Sequence, residues 1–204
     1  MAFILSGLGT SMSIEGAIGI GSFNALNYSL SSLFGIKIGT MTIILNLVFL
    51  FLYITLTNGK FIIKYILQLI AISSIGIVIN FFTYNIFDKI EVNNYFISII
   101  YLICGVVIGG ISVAFILALD TMSFPVEAFC LEISNIKNIK FSKVRVFIDI
   151  ISVSVSLMIT LIFSCPLAIR EGTILSLMLF STVTGYFLDK FVKIKTIRNL
   201  KIFI

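Results

Sequence analysis

The stretch that decides the fold is Ser123–Ile151, SFPVEAFCLEISNIKNIKFSKVRVFIDII. It places Glu127, Glu132, Lys137, Lys140, Lys143, Arg145 and Asp149 within 23 residues of a chain that is otherwise mostly apolar. The 204 residues are 59% hydrophobic and 11% charged, with a mean hydropathy of +1.19. Soluble domains carry about 25% charged residues, so this composition belongs to a membrane protein. Uncharged runs occupy Gly16–Ile36, Ile38–Gly59, Tyr65–Phe87, Val92–Leu119, Ile150–Ile169 and Gly172–Leu188. Most approach the roughly 20 residues that a helix needs to cross a bilayer.

These runs give an all-α polytopic fold with about six transmembrane helices. The expected crossings are Ala2–Ile20, Thr40–Thr57, Phe61–Phe82, Tyr95–Leu119, Val144–Phe163 and Ile174–Phe191. The runs are continuous rather than alternating, which argues against an outer-membrane barrel. The first has no basic residue before it, lacks an Ala-x-Ala-like site and carries Glu15, so it reads as a retained helix rather than a signal peptide. Six crossings put both termini on one side. That side holds Lys60, Lys64, Lys137, Lys140, Lys143, Arg145, Lys190, Lys193, Lys195, Arg198 and Lys201, against Lys37, Lys89 and Arg170 on the other. The bias predicts a multi-pass protein of the cytoplasmic membrane with both termini cytoplasmic. The formal net charge of +5 then reflects topology and an anionic lipid surface, not nucleic acid.

Other chemistry is sparse. The chain has no histidine, the commonest general base and metal ligand, and no nucleophile elbow or phosphate-binding loop. Cys104, Cys130 and Cys165 are scattered in apolar surroundings and read as small buried hydrophobes, not a disulfide framework or a metal site. Neither enzymatic activity nor a cofactor is expected.

An internal repeat organises what remains. Shifted by 103 residues, GSFNALNYSLSSLFGIKIGTMTIILNLV from Gly21 falls on FPVEAFCLEISNIKNIKFSKVRVFIDII from Phe124 without a gap. Ala25 meets Ala128, Ser31 meets Ser134, and Ile36-Lys37 meets Ile139-Lys140. Asn24 pairs with Glu127, Thr42 with Arg145 and Asn46 with Asp149, so polar positions recur while their charge does not. Further on, Gly76-x-x-x-Asn80-x-Phe82 parallels Gly185-x-x-x-Asp189-x-Phe191 after an insertion near Ser164–Thr173. A single membrane domain thus divides into a first repeat at about residues 1–87 and a second at about 95–192, with a basic cytoplasmic tail at 193–204. Three crossings per repeat, an odd number, make the second copy inverted relative to the first, a plan that recurs in transporters.

Each repeat contains a segment too short to span. In Pro125–Ser134 the residues Val126, Phe129, Cys130 and Ile133 follow a helical apolar stripe, and Phe23, Leu26, Leu30 and Leu33 nearly repeat it. Pro125 suits a first helical turn, where its missing N–H is not needed. Two readings are open. The short helices lie in the headgroup region as amphipathic connectors, or they enter as broken helices whose starts, at Asn24 and Glu127, meet around a solute. Glu15 in the first crossing is a third candidate, as a proton or cation site, because an ionisable group within a membrane is costly. Arg145 and Asp149 are four apart on one helix face and are expected to form a structural ion pair. Asp120 and Asp189 are expected at the interface. Gly105-x-x-x-Gly109 points to close helix packing.

The quoted segments resemble the two halves of YczE/YyaS/YitT-like bacterial integral membrane proteins. In that pattern a Gly-Pro-aromatic-Asp turn precedes a short segment and a Gly-Thr, and the second half carries Arg-x-x-x-Asp. Gly21, Phe23, Asn24, Gly39 and Thr40 match the first half, and Pro125, Glu127, Arg145 and Asp149 the second. Ser22 and Asn24 stand where Pro and Asp are usual, which leaves Glu127 as the carboxylate of the pair. The resemblance implies a protein of the bacterial cytoplasmic membrane and supplies no substrate. The expected function is a small-solute permease or a substrate-binding membrane subunit, with Asn24, Glu127 and Glu15 at the site. The alternative is a non-transporting accessory or regulatory protein that acts through a membrane protein partner.

Overall fold

The computed structural model describes the chain except residues 91, 93, 120–123 and 203–204, together with the backbone but not the side chains of 89, 141, 142, 181 and 195–202. Asp120 therefore lies outside the described residues. No strand occurs among the described residues. The helices are α1 (Ala2–Glu15), α2 (Ser22–Phe34), α3 (Ile38–Leu56), α4 (Ile62–Phe81), α5 (Tyr95–Ala118), α6 (Pro125–Lys137), α7 (Phe141–Phe163) and α8 (Glu171–Ile202). A π-helical turn, Phe82–Ile86, prolongs α4, and a 3-10 turn, Phe87–Lys89, follows it. Among the described residues five helical stretches are long and apolar enough to cross a membrane: Ile38–Leu56, Ile62–Ile86, Tyr95–Ala118, Lys143–Phe163 and Glu171–Ile194.

The first crossing expected from sequence, Ala2–Ile20, is corrected. Its helix has 14 residues, a rise of about 21 Å, and stops at Glu15. The Gly-rich run after it adopts conformations that a helix cannot hold, with Ala17 at φ 53° and Gly19 at φ 118°. The freed backbone groups find partners elsewhere. The Ile20 N–H donates to the Ala168 carbonyl (3.4 Å), the Gly172 N–H donates to the Ile18 carbonyl (2.8 Å), and the Arg170 guanidinium donates to the Ala17 carbonyl (3.0 Å). The last helix is also longer than Ile174–Phe191, continuing to Ile202 through the basic segment.

The boundaries of the short helices repeat at the 103-residue offset. Adding 103 to Ser22–Phe34 gives Pro125–Lys137, and adding 103 to the start of α3 at Ile38 gives Phe141, the start of α7. Their ends are built alike. Gly35 (φ 65°) and Asn138 (φ 52°) each close a short helix in the left-handed conformation, which glycine and asparagine tolerate best. Ile36 and Ile139 then donate to the Ser31 and Ser134 carbonyls. At 13 residues neither α2 nor α6 can span a bilayer.

Each short helix packs on both α3 and α7. Ser22 pairs with Asp149, and Ser29 with Ser156 (2.7 Å between hydroxyls); both pairs are 127 residues apart, so α2 and α7 run in the same direction. At the centre α5 is flanked by α1 and α8. Of Gly105-x-x-x-Gly109, Gly105 faces α1: a Cβ at Gly105 would stand 2.5 Å from the Gly9 carbonyl oxygen and one at Gly9 2.7 Å from the Gly109 backbone nitrogen, whereas a Cβ at Gly109 would meet only Phe180 of α8, at 3.9 Å. Only small residues permit this approach, which brings backbone against backbone where lipid supplies no hydrophobic drive. Of the cysteines, Cys130 is buried in this framework, whereas Cys104 is exposed on α5; all three are free thiols.

Candidate functional site

Between the helices lies a cavity of about 480 Å³. Its polar wall comes from the start of α2 (Ser22, Asn24), from α3 (Thr42, Asn46), from the start of α6 (Glu127) and from α7 (Arg145, Asp149). Ser6, Thr10 and Ser13 of α1 and Ser176 and Thr184 of α8 add hydroxyls. Apolar residues close the rest, among them Ile75, Ile79, Val106, Phe124 and Phe180.

The site is built by short-range helix geometry and long-range packing together. Arg145 and Asp149 are one turn apart on α7, and the Arg145 Nε lies 3.4 Å from Asp149 Oδ2. The start of α6, fixed by Pro125, turns Glu127 toward the same guanidinium, and Nη1 donates to Glu127 Oε1 at 2.9 Å. One cation is thus held between two carboxylates, with side-chain exposures of 21% for Arg145, 14% for Glu127 and 15% for Asp149. Charges this far from water persist only when paired. Asp149 takes a further hydrogen bond at Oδ1 from the Ser22 hydroxyl (2.5 Å), which ties the start of α2 to α7.

The rest of the polar wall is neutral and less satisfied. Asn46 donates from Nδ2 to the Thr42 carbonyl (2.8 Å), and its Oδ1 accepts no hydrogen bond among the described residues, although only 5% of the residue is exposed. The amide of Asn24 and the buried hydroxyl of Ser6 have no hydrogen-bond partner among the described residues. Neither α2 nor α6 has a side-chain cap, so the first-turn N–H groups of both helices are left to other acceptors. An arrangement with carboxylates, a guanidinium, two amides and several hydroxyls can hold a small polar solute through many hydrogen bonds. Among the described residues no three acidic, cysteine or histidine side chains gather as a metal site.

Of the sequence candidates, Asn24 and Glu127 line this cavity together, and so do Arg145 and Asp149. Glu15 does not line it; it ends α1, beside the Gly-rich break. Arg145 and Asp149 do form an ion pair, but it is one arm of a larger cluster that includes Glu127. Thr42 and Asn46 of α3, which the repeat alignment pairs with Arg145 and Asp149, line the same cavity. Ser22 was not legible as a site residue, because its bond to Asp149 joins helices 127 residues apart.

A family model described as "Family of unknown function (DUF6198)" matches residues 1–189. The chain is similar to the "Uncharacterized protein YyaS" of Bacillus subtilis (strain 168), with 26% identity over 181 residues, 88% of this chain and 85% of that protein. No solved structure matches the chain. The chain belongs to the DUF6198 family and is a YyaS-like member of it.

Proposed function

We propose that this member of the DUF6198 family is a small-solute permease, or the solute-binding subunit of one, formed by two inverted halves around the central cavity. One observation carries the reading: three pairs of positions related by 103 residues, Asn24 with Glu127, Thr42 with Arg145 and Asn46 with Asp149, all face one cavity. Equivalent positions of a duplicated chain converge on a shared space when the copies are related by an approximate two-fold axis, and solute sites of inverted-repeat transporters lie at such a place. The packing of α2 and α6 on both α3 and α7 supports the same relation.

α1 supplies the sixth crossing in this reading. It runs antiparallel along α5, from Ala2 and Phe3 near the Val113–Ile116 end to Gly16 against Ser98. Completed by the backbone at 16–21, it covers most of the length of a helix that is itself long enough to span. With six crossings the basic residues fall eleven to three and both termini are cytoplasmic. The short helices α2 and α6 then enter from opposite faces, their irregular lead-ins covered by protein.

The test is a thermal-stability screen of the detergent-purified protein against small anions, cations and neutral polar metabolites, followed by uptake of any hit into proteoliposomes. A ligand of the folded state raises the melting temperature by mass action. Glu127→Gln is expected to abolish the shift while leaving membrane insertion intact. A broad library without a hit, together with a protein partner that co-purifies in stoichiometric amount, would establish the accessory role instead.

A further inference from the structure

The two halves match at their short helices and differ at their outer seams. In the first half α3 and α4 are packed together, and Gly39 and Gly76 meet backbone to backbone. Ile43 lies over Gly76, so a Cβ placed there would collide with the Ile43 side chain. Asn80 completes the seal: its Oδ1 accepts the Gly39 N–H (2.8 Å) and its Nδ2 donates to Thr40 (3.2 Å). In the second half some of the partners are present and apart, and Ser142 stands where the first seam has Gly39. The repeat sets Val146 at the place of Ile43, Gly185 at that of Gly76 and Asp189 at that of Asn80. No atom comes within 4 Å of a Cβ at Gly185, Val146 is 55% exposed, Asp189 is exposed, and α7 and α8 share no packed interface. Val146 and Gly185 both line the cavity, which therefore reaches the outside between α7 and α8.

We propose that the α7–α8 seam is a gate of the cavity, open in this conformation, and that it closes by counterparts of two of the contacts made in the α3–α4 seam, those of Ile43 with Gly76 and of Asn80 with the helix start; Ser142 in place of Gly39 sets the closed helices further apart than α3 and α4. Val146 then seats on Gly185, and the Asp189 carboxylate reaches the uncapped start of α7 as Asn80 reaches that of α3, an end where the helix dipole favours an anion. Closure of one seam accompanies opening of the other, so the cavity communicates with one side at a time. This inference rests on the inverted-halves reading above and specifies how access to its site is controlled. At Gly76 the seam is shut and leaves no room for a side chain, whereas at Gly185 a Cβ has open space in this conformation.

The experiment uses the full chain in vesicles, with Cys104, Cys130 and Cys165 replaced by alanine. The pair Val146→Cys and Gly185→Cys is expected to form an intramolecular disulfide under mild oxidation, even though a disulfide needs Cβ atoms about 3.5–4.5 Å apart and nothing is within 4 Å of a Cβ at 185 here. The pair Thr40→Cys and Asn80→Cys, whose native side chains already meet across the first seam at 3.2 Å, is expected to cross-link in the present conformation. Locking it first should slow the second cross-link about tenfold or more, within the usual range of coupling between two sites. No 146–185 disulfide where 40–80 forms, or an equal rate with the first seam locked, overturns the proposal. A second readout does not depend on the double variants. Maleimide labelling of Val146→Cys should rise when Gly185→Val props the seam open, and an unchanged labelling rate also overturns it. Coupled cross-links in a protein that moves no solute would uphold the gate and refute the permease reading.

Discussion

Replacing Arg145 with methionine removes the only cation from between two buried carboxylates. The guanidinium sits 2.9 Å from Glu127 and 3.4 Å from Asp149, and all three side chains are less than a quarter exposed. A unit charge pair at about 4 Å interacts by roughly 4 kcal/mol at an effective dielectric constant of 20, and desolvation cancels part of that. Removing one partner of such a pair costs about 3–5 kcal/mol, because the remaining charge is left buried without compensation. For a chain of this length that corresponds to a fall of about 10 °C in melting temperature. The triple variant Glu127→Gln, Arg145→Met, Asp149→Asn removes the stranded charges as well and should recover most of the loss, since a whole buried ion cluster can be replaced at little net cost. Thermal melts in detergent followed by far-ultraviolet circular dichroism give both numbers, which suits a chain without tryptophan. A single variant within about 1 kcal/mol of wild type would refute the claim that the guanidinium holds the cluster. A triple variant as unstable as the single one would show that the loss came from packing of the arginine stem.

Three further outcomes follow from the packing. Gly76→Val should lower stability by about 3 kcal/mol, at the upper end of overpacking costs, whereas Gly185→Val should stay within about 0.5 kcal/mol of wild type, as a change with nothing nearby does; paired melts compare them. Tyr65→Phe deletes a hydroxyl that is 2.5 Å from Thr57 Oγ1 and accepts the Phe61 N–H at 3.2 Å, so it should cost about 1–2 kcal/mol in the same melts. A double-mutant cycle of Ser29→Ala and Ser156→Ala should return a coupling of about 0.6 kcal/mol, typical of hydrogen bonds between helices in membranes.

What the sequence revealed depended on how far apart the interacting residues lie. Pro125 is a local signal and α6 starts at it, but the helix runs on to Lys137, three residues beyond the Ser134 that the apolar stripe suggested, because the left-handed Asn138 rather than the stripe ends it. The Arg145–Asp149 pair was legible for the same reason, being one helical turn apart. Glu127 as a partner of Arg145 was not, since an 18-residue separation across a turn has no sequence period. The end of α1 was misjudged because the apolar run continues through Gly16–Ile20, and hydropathy does not register that the backbone there leaves the helix to pair with residues near 170. Glu15 was weighed as a site residue on the assumption of a continuous crossing, and the break sets it apart from the cavity.

The charge gathered in Ser123–Ile151 acquires its meaning from its neutral counterpart. Were both copies charged, the cavity would hold two arginines and four carboxylates, each needing partners in a space of about 480 Å³. Instead the second copy contributes a cluster whose charges are largely spent on one another, and the first contributes amides and hydroxyls, of which Asn24 and the Asn46 Oδ1 have no partner among the described residues. On the permease reading the solute meets both walls: the neutral residues offer unpartnered amide groups, and the charged cluster offers Glu127 and fixes its place. In thermal-shift measurements Asn46→Leu should accordingly abolish the response to a bound solute, as Glu127→Gln does, while altering the protein's own melting temperature less than Arg145→Met does. A response that survives Asn46→Leu would assign the recognition to the charged residues alone.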